Sequence, residues 1–328
     1  MAGSLHEVAL PLRLMGDEQK LHSARWAGHD MGGIKFDGIT GNRRSFLKTT
    51  GLISTAFAAR SWTVGAAERQ PGNTYETQAV GIRIFPGAWR PHYPWEHIAW
   101  VSPPWASQDY IWLDFPEAIF TSQGLLYLSH INPPIPTVFS ALPAVPWKET
   151  PDGIAFERTL PNGVGFGGSV TRGKDSTVDL ELHIRNGSTK ELARITLQTC
   201  AFLRAIKEFA DYSQDNKFVH VTDDGWVAMN EAANRNKKSA RYRVGWRTSG
   251  KPVADLPAAV VVSSDADRLV AMTWLDDTLS MVGNPRHPCF HADPKFPDLA
   301  PGEQASIRGK LVFFEGTLSE FDFSKSVS

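Results

Sequence analysis

Between residues 151 and 200, short segments of alternating apolar and polar residues are separated by turn sequences, and this feature constrains the fold most. The turns are Pro-Asp-Gly at 151–153, Pro-Asn-Gly at 161–163 and Asn186-Gly187, which are residue types that favour tight turns. The segments beside them predict strands over 153–159, 164–171, 178–185 and 193–200. Strands at this spacing, with no helix between them, predict antiparallel sheets packed as a sandwich.

The rest of the chain fits the same fold class. Further strands are predicted at 80–85, 110–115, 118–120, 125–130, 241–246, 258–263, 269–274 and 305–314. The 27 glycines and 22 prolines also favour a loop-rich, β-rich protein. One helix is predicted over 202–212, from the spacing of Phe202, Ile206 and Phe209. The prediction is an all-β, antiparallel β-sandwich with a short helix.

An aromatic, proline-rich stretch covers residues 89–105. It contains Trp89, Tyr93, Trp95, Trp100 and Trp105. Its prolines exclude a helix and disfavour a single regular strand. We expect a long loop lined with rings, which packs on the sandwich.

The N-terminal region carries an export pattern. Residues 42–48, Asn-Arg-Arg-Ser-Phe-Leu-Lys, resemble the twin-arginine signal except at Asn42, and an apolar run and small residues follow. The pattern predicts an export signal region at 1–67, with Met31 as the true first residue of the translated protein, and a single domain at 68–328. It also predicts transit through the twin-arginine machinery to the periplasm or the cell exterior. The apolar run is shorter than the roughly 20 residues of a spanning helix.

Charge argues against a nucleic-acid partner. Residues 1–67 hold eight of the 34 Lys and Arg and five of the 35 Asp and Glu, so 26 basic and 30 acidic residues remain, a net charge of about −4. The one remaining basic run is Lys237-Lys238, too short to follow a phosphate backbone. No stretch after residue 67 predicts a stable membrane span.

Chemically versatile side chains are concentrated between residues 274 and 294. In an extended chain alternate residues share a face, so His287, Cys289, His291 and Asp293 would point the same way. The neighbouring prolines favour an edge or a loop over a central strand. We therefore expect the rim of a cleft here.

Three stretches resemble exported bacterial β-sandwich proteins and the closing strands of galactose-mutarotase-like "supersandwich" domains. They begin at Leu182 (Leu-His-Ile-Arg-Asn-Gly-Ser), at Asn284 (Asn-Pro-Arg-His-Pro-Cys-Phe-His-Ala-Asp-Pro) and at Leu299 (Leu-Ala-Pro-Gly-Glu, followed by Gly-Lys-Leu-Val-Phe-Phe-Glu-Gly at 309–316). The resemblance implies a protein that processes or recognises carbohydrates, with a small-molecule or glycan ligand.

A sugar site needs flat apolar faces and polar edges. The candidate platforms are Trp105, Trp112 and Trp274, and the alternative for Trp112 and Trp274 is a place in the core. The candidate groups for binding hydroxyls are Asn284, Arg286, Asp276 and Asp277. We expect the two polar regions, 105–132 and 274–293, to form the walls of one cleft.

Mutarotase-type chemistry needs an acid and a base. His291 or His130 is the candidate acid, because imidazole titrates near neutral pH, and Glu117 or Asp293 is the candidate base. The competing interpretations are turn and surface roles for these residues, and a non-catalytic envelope or glycan-binding protein on the same fold.

A metal-dependent hydrolase or lyase is a further alternative. His287, His291 and Asp293 have suitable ligand chemistry, and Cys289 is a possible fourth member. Cys289 is also a candidate for a disulfide with Cys200, the other cysteine of the chain, and two buried thiols are the alternative. The chain carries no nucleotide-binding or serine-nucleophile motif.

Overall fold

A computed structural model describes residues 79–328 except for 91–92, 131–134, 204, 211–215, 236, 238–239, 248–249 and 285–287. The predicted export signal and the proposed start at Met31 lie outside the described residues. No helix in the described part of the chain is long and apolar enough to cross a bilayer.

The described chain consists of two nine-stranded sheets. Sheet 1 contains β1 (Ile84–Gly87), β2 (Ile98–Val101), β3 (Ile111–Thr121), β4 (Gly124–Leu128), β9 (Thr196–Phe202), β12 (Tyr242–Trp246), β13 (Lys251–Ala254), β16 (Thr278–Gly283) and β17 (Cys289–Pro294). Sheet 2 contains β5 (Lys148–Thr150), β6 (Gly153–Thr159), β7 (Gly165–Arg172), β8 (Thr177–Arg185), β10 (Lys217–Val221), β11 (Gly225–Ala228), β14 (Ala258–Val262), β15 (Arg268–Thr273) and β18 (Gln304–Glu315).

Strand pairing is antiparallel throughout the described chain, except between β12 and β16, which run parallel. The order in sheet 1 is β1-β2-β3-β9-β17-β16-β12-β13, with β4 paired to β3, and in sheet 2 it is β11-β10-β14-β15-β18-β8-β7-β6-β5. The described residues also form two one-turn helices, Met229–Ala232 and Phe323–Ser326. The prediction of an all-β sandwich is confirmed.

The alternation of β8 explains why this segment is a strand. Val178, Leu180, Leu182 and Ile184 are buried, and the residues between them lie on the other face. The whole strand pairs with β18, from Arg185 opposite Gln304 to Thr177 opposite Val312. Its apolar face joins one core cluster with residues of both sheets, and each fully buried side chain of this size contributes about 1.5–3 kcal/mol.

Three local predictions are corrected by the structure. The predicted helix at 202–212 is replaced by the end of β9 and a single 3-10 turn, Lys207–Phe209. The apolar side chains of Ile206 and Phe209 that suggested a helix instead pack into the core from this irregular segment. The aromatic stretch 89–105 is not loop alone, because β2 lies within it.

The third correction concerns the histidine-rich stretch. Cys289–Pro294 is a central strand, paired with β9 on one side and β16 on the other. The prolines are tolerated because Pro288 precedes the strand and Pro294 is its last residue, where one missing N–H is least costly.

His97 is fully buried as a neutral ring, so the stability of the fold is expected to depend on pH through this residue. Its imidazole stacks on Phe156 with centroids 3.8 Å apart and accepts a hydrogen bond from Nε of Arg158 at 3.3 Å. Burial, and then the charge of Arg158, lower the pKa of His97 to about 3. A depressed pKa means that protons favour the unfolded chain, so this contribution is complete above the unfolded pKa near 6.5 and is lost as the pH falls toward 3.

We expect the parent protein to lose about 2 kcal/mol more unfolding free energy than His97→Gln when the pH falls from 7 to 5. Glutamine has an oxygen that accepts from Arg158, but it does not titrate. Urea unfolding at both pH values checks this, and equal losses in the two proteins would contradict it.

Candidate functional site

A buried polar cluster lies on the outer face of sheet 1, across the neighbouring strands β3, β9 and β17. The ladder places Asp114 opposite Cys200 and Cys200 opposite His291. Because side chains alternate along a strand, Cys289, His291 and Asp293 share this face, as the sequence predicted. Phe290 and Ala292, between them, point into the main core.

A bulge in β3 brings Glu117 to the same face. Asp114 pairs with Cys200 and Ala118 pairs with Gln198, so β3 spans four residues where β9 spans two. In a regular strand, Asp114 and Glu117 would point to opposite faces. The bulge removes this constraint and re-aims the side chain, a known use of bulges beside functional sites.

Glu117 lies between two imidazoles. Its Oε1 is 3.0 Å from Nε2 of His130, and its Oε2 is 3.7 Å from Nδ1 of His291. Among the described residues, no donor hydrogen-bonds to the buried Oε2. His130 is 8 % exposed and His291 is 6 % exposed, so the group is shielded from bulk water.

Asp293 is the fourth of the candidate acid and base residues predicted from the sequence. Its Oδ1 is 3.7 Å from Nδ1 of His291 and accepts the backbone N–H of Thr199 at 3.3 Å. Its Oδ2 accepts from the hydroxyl of Ser280 at 3.3 Å. The structure therefore brings together all four candidate acid and base groups, His130, Glu117, His291 and Asp293.

The electrostatics of the cluster favour a charged Glu117 beside a charged His291. Burial by itself would raise the pKa of Glu117, but the His130 hydrogen bond and the charge of His291 lower it to about 2. Burial would lower the pKa of His291, but Asp293 and Cys289 hold it well above 6.5. Burial raises the pKa of Asp293 despite its His291 contact.

Arg90 and Asp114 extend the cluster, and the sequence analysis did not single them out. Nη2 of Arg90 donates to Oδ2 of Asp114 at 3.0 Å, and its Nη1 donates to Glu96 at 2.9 Å. Ser129 donates to the same Asp114 oxygen at 2.7 Å. Burial raises the pKa of Asp114 to about 6, although Arg90 opposes this shift. The sequence signal was weak, because Asp114 stands in an apolar strand pattern.

The three tryptophans predicted as sugar platforms differ in how far their rings are buried. Trp112 is half-buried on the site face, where its ring packs against Trp89 and Phe202. Trp274 is fully buried and stacks on Phe115. Trp105 is 4 % exposed and its ring is covered by Phe313 and Arg268. A ring covered by protein cannot stack on a sugar, so the platform interpretation is wrong for Trp105 and Trp274.

Three of the four candidate hydroxyl-binding residues, Asp276, Asp277 and Asn284, lie in the described part of the chain. Asp276 is exposed on the 3-10 turn Leu275–Asp277 and pairs with Arg241 at 3.2 Å. Asp277 follows it on that turn, and burial raises its pKa. Asn284 comes directly after β16, and its carbonyl accepts from Nζ of Lys217 at 3.4 Å. Arg286, and His287 of the predicted metal set, lie outside the described residues.

The two cysteines lie side by side on adjacent strands and form no disulfide. Of the two alternatives that the sequence left open, this structure has the two buried thiols and not the disulfide. Both side chains are buried. The hydrogen bond with Cys289 is the larger cause, and burial the next, of a pKa of the Cys200 thiol that is well above its usual range. One donor atom from each of Cys200, Cys289 and His291 lies within 4.8 Å of the others, a group that shares His291 with the predicted metal set of His287, His291 and Asp293. Cys200 and Cys289 are the other two members of this group, and Asp293 lies near the other ring nitrogen of His291, Nδ1.

Comparison with known proteins gives distant likenesses only. No family model matches the chain, and no curated protein matches it. An aldose epimerase homologue from C. elegans matches with 9 % identity and a TM-score of 0.36, covering 72 % of this chain and 100 % of its own. A galactose mutarotase-like protein from Lactobacillus casei matches with 9 % identity and a TM-score of 0.37, covering 71 % and 100 %. The site is therefore defined by the residues of this chain alone.

Proposed function

We propose that the protein is exported and processes a carbohydrate on the outer face of sheet 1, with Glu117 accepting a proton from the substrate. The observation that carries the proposal is the position of Glu117 between His130 and His291. One carboxylate oxygen is held by His130, and the buried Oε2 has no hydrogen-bond donor among the described residues. An ionised oxygen with no donor among the described residues meets the geometric requirement for a general base, which must lie within hydrogen-bond reach of the proton that it accepts.

The neighbouring imidazole supplies the complementary group. Nε2 of His130 is 3.0 Å from one oxygen of Glu117, whereas Nδ1 of His291 is 3.7 Å from the other, and an imidazole has nitrogens that donate or accept hydrogen bonds. A carboxylate and an imidazole held together are the groups needed to move a proton from one position of a sugar to another, or to open its ring.

The surroundings favour a polyhydroxylated ligand. Trp112 and Trp89 form an aromatic group directly beside the polar cluster, and sugars are bound by ring faces together with polar edges. Arg90 stacks on Trp89 at 4.0 Å from the ring centroid, which places a cationic donor at this boundary. The sequence resemblance to mutarotase-like domains supports the same substrate class, and the export pattern supports a role outside the cytoplasm.

A substrate screen tests the proposal. The full chain, purified from a host that exports it, is incubated with aldoses, uronic acids and oligosaccharides, and anomer exchange, epimerisation and cleavage are followed by NMR. We expect one class to be converted by the parent protein and by Glu157→Gln. The latter is a matched control, because Glu157 forms an exposed pair with His183 at 2.8 Å.

Binding without conversion in every class would contradict the catalytic proposal. It would favour the alternative of a non-catalytic glycan-binding protein. Neither binding nor conversion in any class would exclude both.

A further inference from the structure

The cysteine pair and His291 form a compact donor group at the centre of sheet 1. Cys200 and His291 are direct neighbours across the β9–β17 ladder, and Cys289 lies two residues before His291 on the same face. Their donor atoms all lie within 4.8 Å of one another. We infer that Cys200, Cys289 and His291 bind one thiophilic divalent metal ion of the zinc type.

The distances suit such an ion. Zinc binds thiolate sulfur at about 2.3 Å and imidazole nitrogen at about 2.0–2.1 Å in tetrahedral geometry, which puts sulfur and nitrogen ligands roughly 3.5 Å apart. Sγ of Cys289 and Nε2 of His291 are 3.7 Å apart. Small side-chain rotations therefore bring the three donors onto one ion.

The two nitrogens of His291 are already divided between two tasks. Nε2 faces Cys289, whereas Nδ1 faces Gln198 at 3.3 Å and the carboxylates of Glu117 and Asp293 at 3.7 Å each. Histidines that bind metals commonly direct their other nitrogen to a carboxylate, which fixes the ring and strengthens the ligand. In this protein Nδ1 of His291 faces the carboxylates, which leaves Nε2 directed toward Cys289 as the atom that would bind the metal.

The surroundings favour a cation as well. Glu117 and Asp293 lie beside His291, and Asp114 is paired with Cys200 across the ladder and carries an ion pair with Arg90. Two thiolates buried without a counter-charge would be costly. When the ion binds, each thiol releases its proton to solvent as its sulfur forms a bond to the metal, and the charged imidazole of His291 releases its Nε2 proton as that nitrogen forms a bond, so three protons leave for one divalent ion.

Soft thiolate donors select the class of metal. Two sulfurs and one imidazole favour zinc-type ions over calcium or magnesium, which prefer oxygen ligands. Three protein ligands leave a fourth position for water or a substrate oxygen, the arrangement of catalytic rather than structural sites. The inference goes beyond the proposed function and does not rest on it, because metal binding is measured without any sugar.

The test uses the full chain, kept reduced, loaded with equimolar zinc and dialysed before elemental analysis. We expect one ion per chain in the parent and in His183→Asn, a matched control for a histidine outside the group. We expect Cys200→Ser, Cys289→Ser and His291→Ala to retain no stoichiometric metal. Circular dichroism verifies that each variant is folded.

A second measurement covers variants that fail to fold. Cobalt replaces zinc in the parent, and a sulfur-to-cobalt charge-transfer band is recorded. The chain has only two cysteines, so such a band would come from Cys200 and Cys289. A folded, reduced parent that binds no metal and shows no band would overturn the inference, as would stoichiometric metal in folded Cys200→Ser.

The outcomes separate the two proposals. Metal binding without sugar conversion leaves the metal site standing and contradicts the catalytic proposal. Sugar conversion by a parent protein that binds no metal leaves the catalytic proposal standing and overturns the metal site. A parent purified from the export compartment with a mass lower by two hydrogens would show a Cys200–Cys289 disulfide there, and would overturn the metal site.

Discussion

Replacing Glu117 with glutamine is expected to lower the turnover of the converted sugar by about 10²–10⁴-fold, the range for loss of a general base. Glutamine has nearly the same shape, and its amide oxygen still accepts a hydrogen bond from His130, so the cluster keeps its packing. The amide has no negative charge and does not accept a proton. The loss therefore falls on the chemical step.

The measurement is kcat and KM on the substrate that the screen identifies. A fall in kcat with an almost unchanged KM indicates a group that acts in the reaction step. Glu157→Gln, which changes an exposed carboxylate with its own histidine partner, should keep both constants. If Glu117→Gln retained more than a tenth of the parent kcat, the carboxylate would not be the base.

Replacing Trp274 with alanine is expected to cost about 3–5 kcal/mol of unfolding free energy, the usual cost of deleting a buried aromatic ring. The ring has no exposed surface, stacks on Phe115 with centroids 5.9 Å apart, and donates from Nε1 to the hydroxyl of Thr199 at 3.2 Å. Its removal leaves a cavity and a hydroxyl without its indole partner.

Urea unfolding measures the effect, and Trp226→Ala is the matched control. Trp226 is half-buried on β11 beside Phe321, so its loss should cost clearly less, because less apolar surface leaves contact with the protein. A Trp274→Ala protein of parental stability that no longer bound sugar would show the ring to be a platform after all.

The sequence predicted which residues of 287–293 share a face better than it predicted the position of their strand in the sheet. Alternation along 287–293 predicted correctly that Cys289, His291 and Asp293 share a face, because that property depends only on the period of an extended chain. The same stretch was assigned to an edge because of its prolines. Its central position depends on pairing with β16, which precedes it in the chain, and with β9, which is distant in sequence.

Arg90, Asp114 and Cys200 show why the site was incomplete from the sequence. Asp114 stands in an apolar strand, Arg90 in an aromatic loop, and Cys200 more than eighty residues before His291, so no local pattern connects them. The pairing of β3, β9 and β17 and the contact of Arg90 with Asp114 bring them together. Trp105 and Trp274 show the converse, because their type fits a sugar site but their surroundings are core.

Local information was sufficient for the strand-rich fold class, because turn sequences and alternation operate over a few residues. It also supplied the four acid and base candidates as separate residues. The tertiary structure alone decided that they meet, because strand order and the β3 bulge between Asp114 and Ala118 set which faces coincide. Pairing energies between distant strands determine that geometry, and they are not encoded in any single segment.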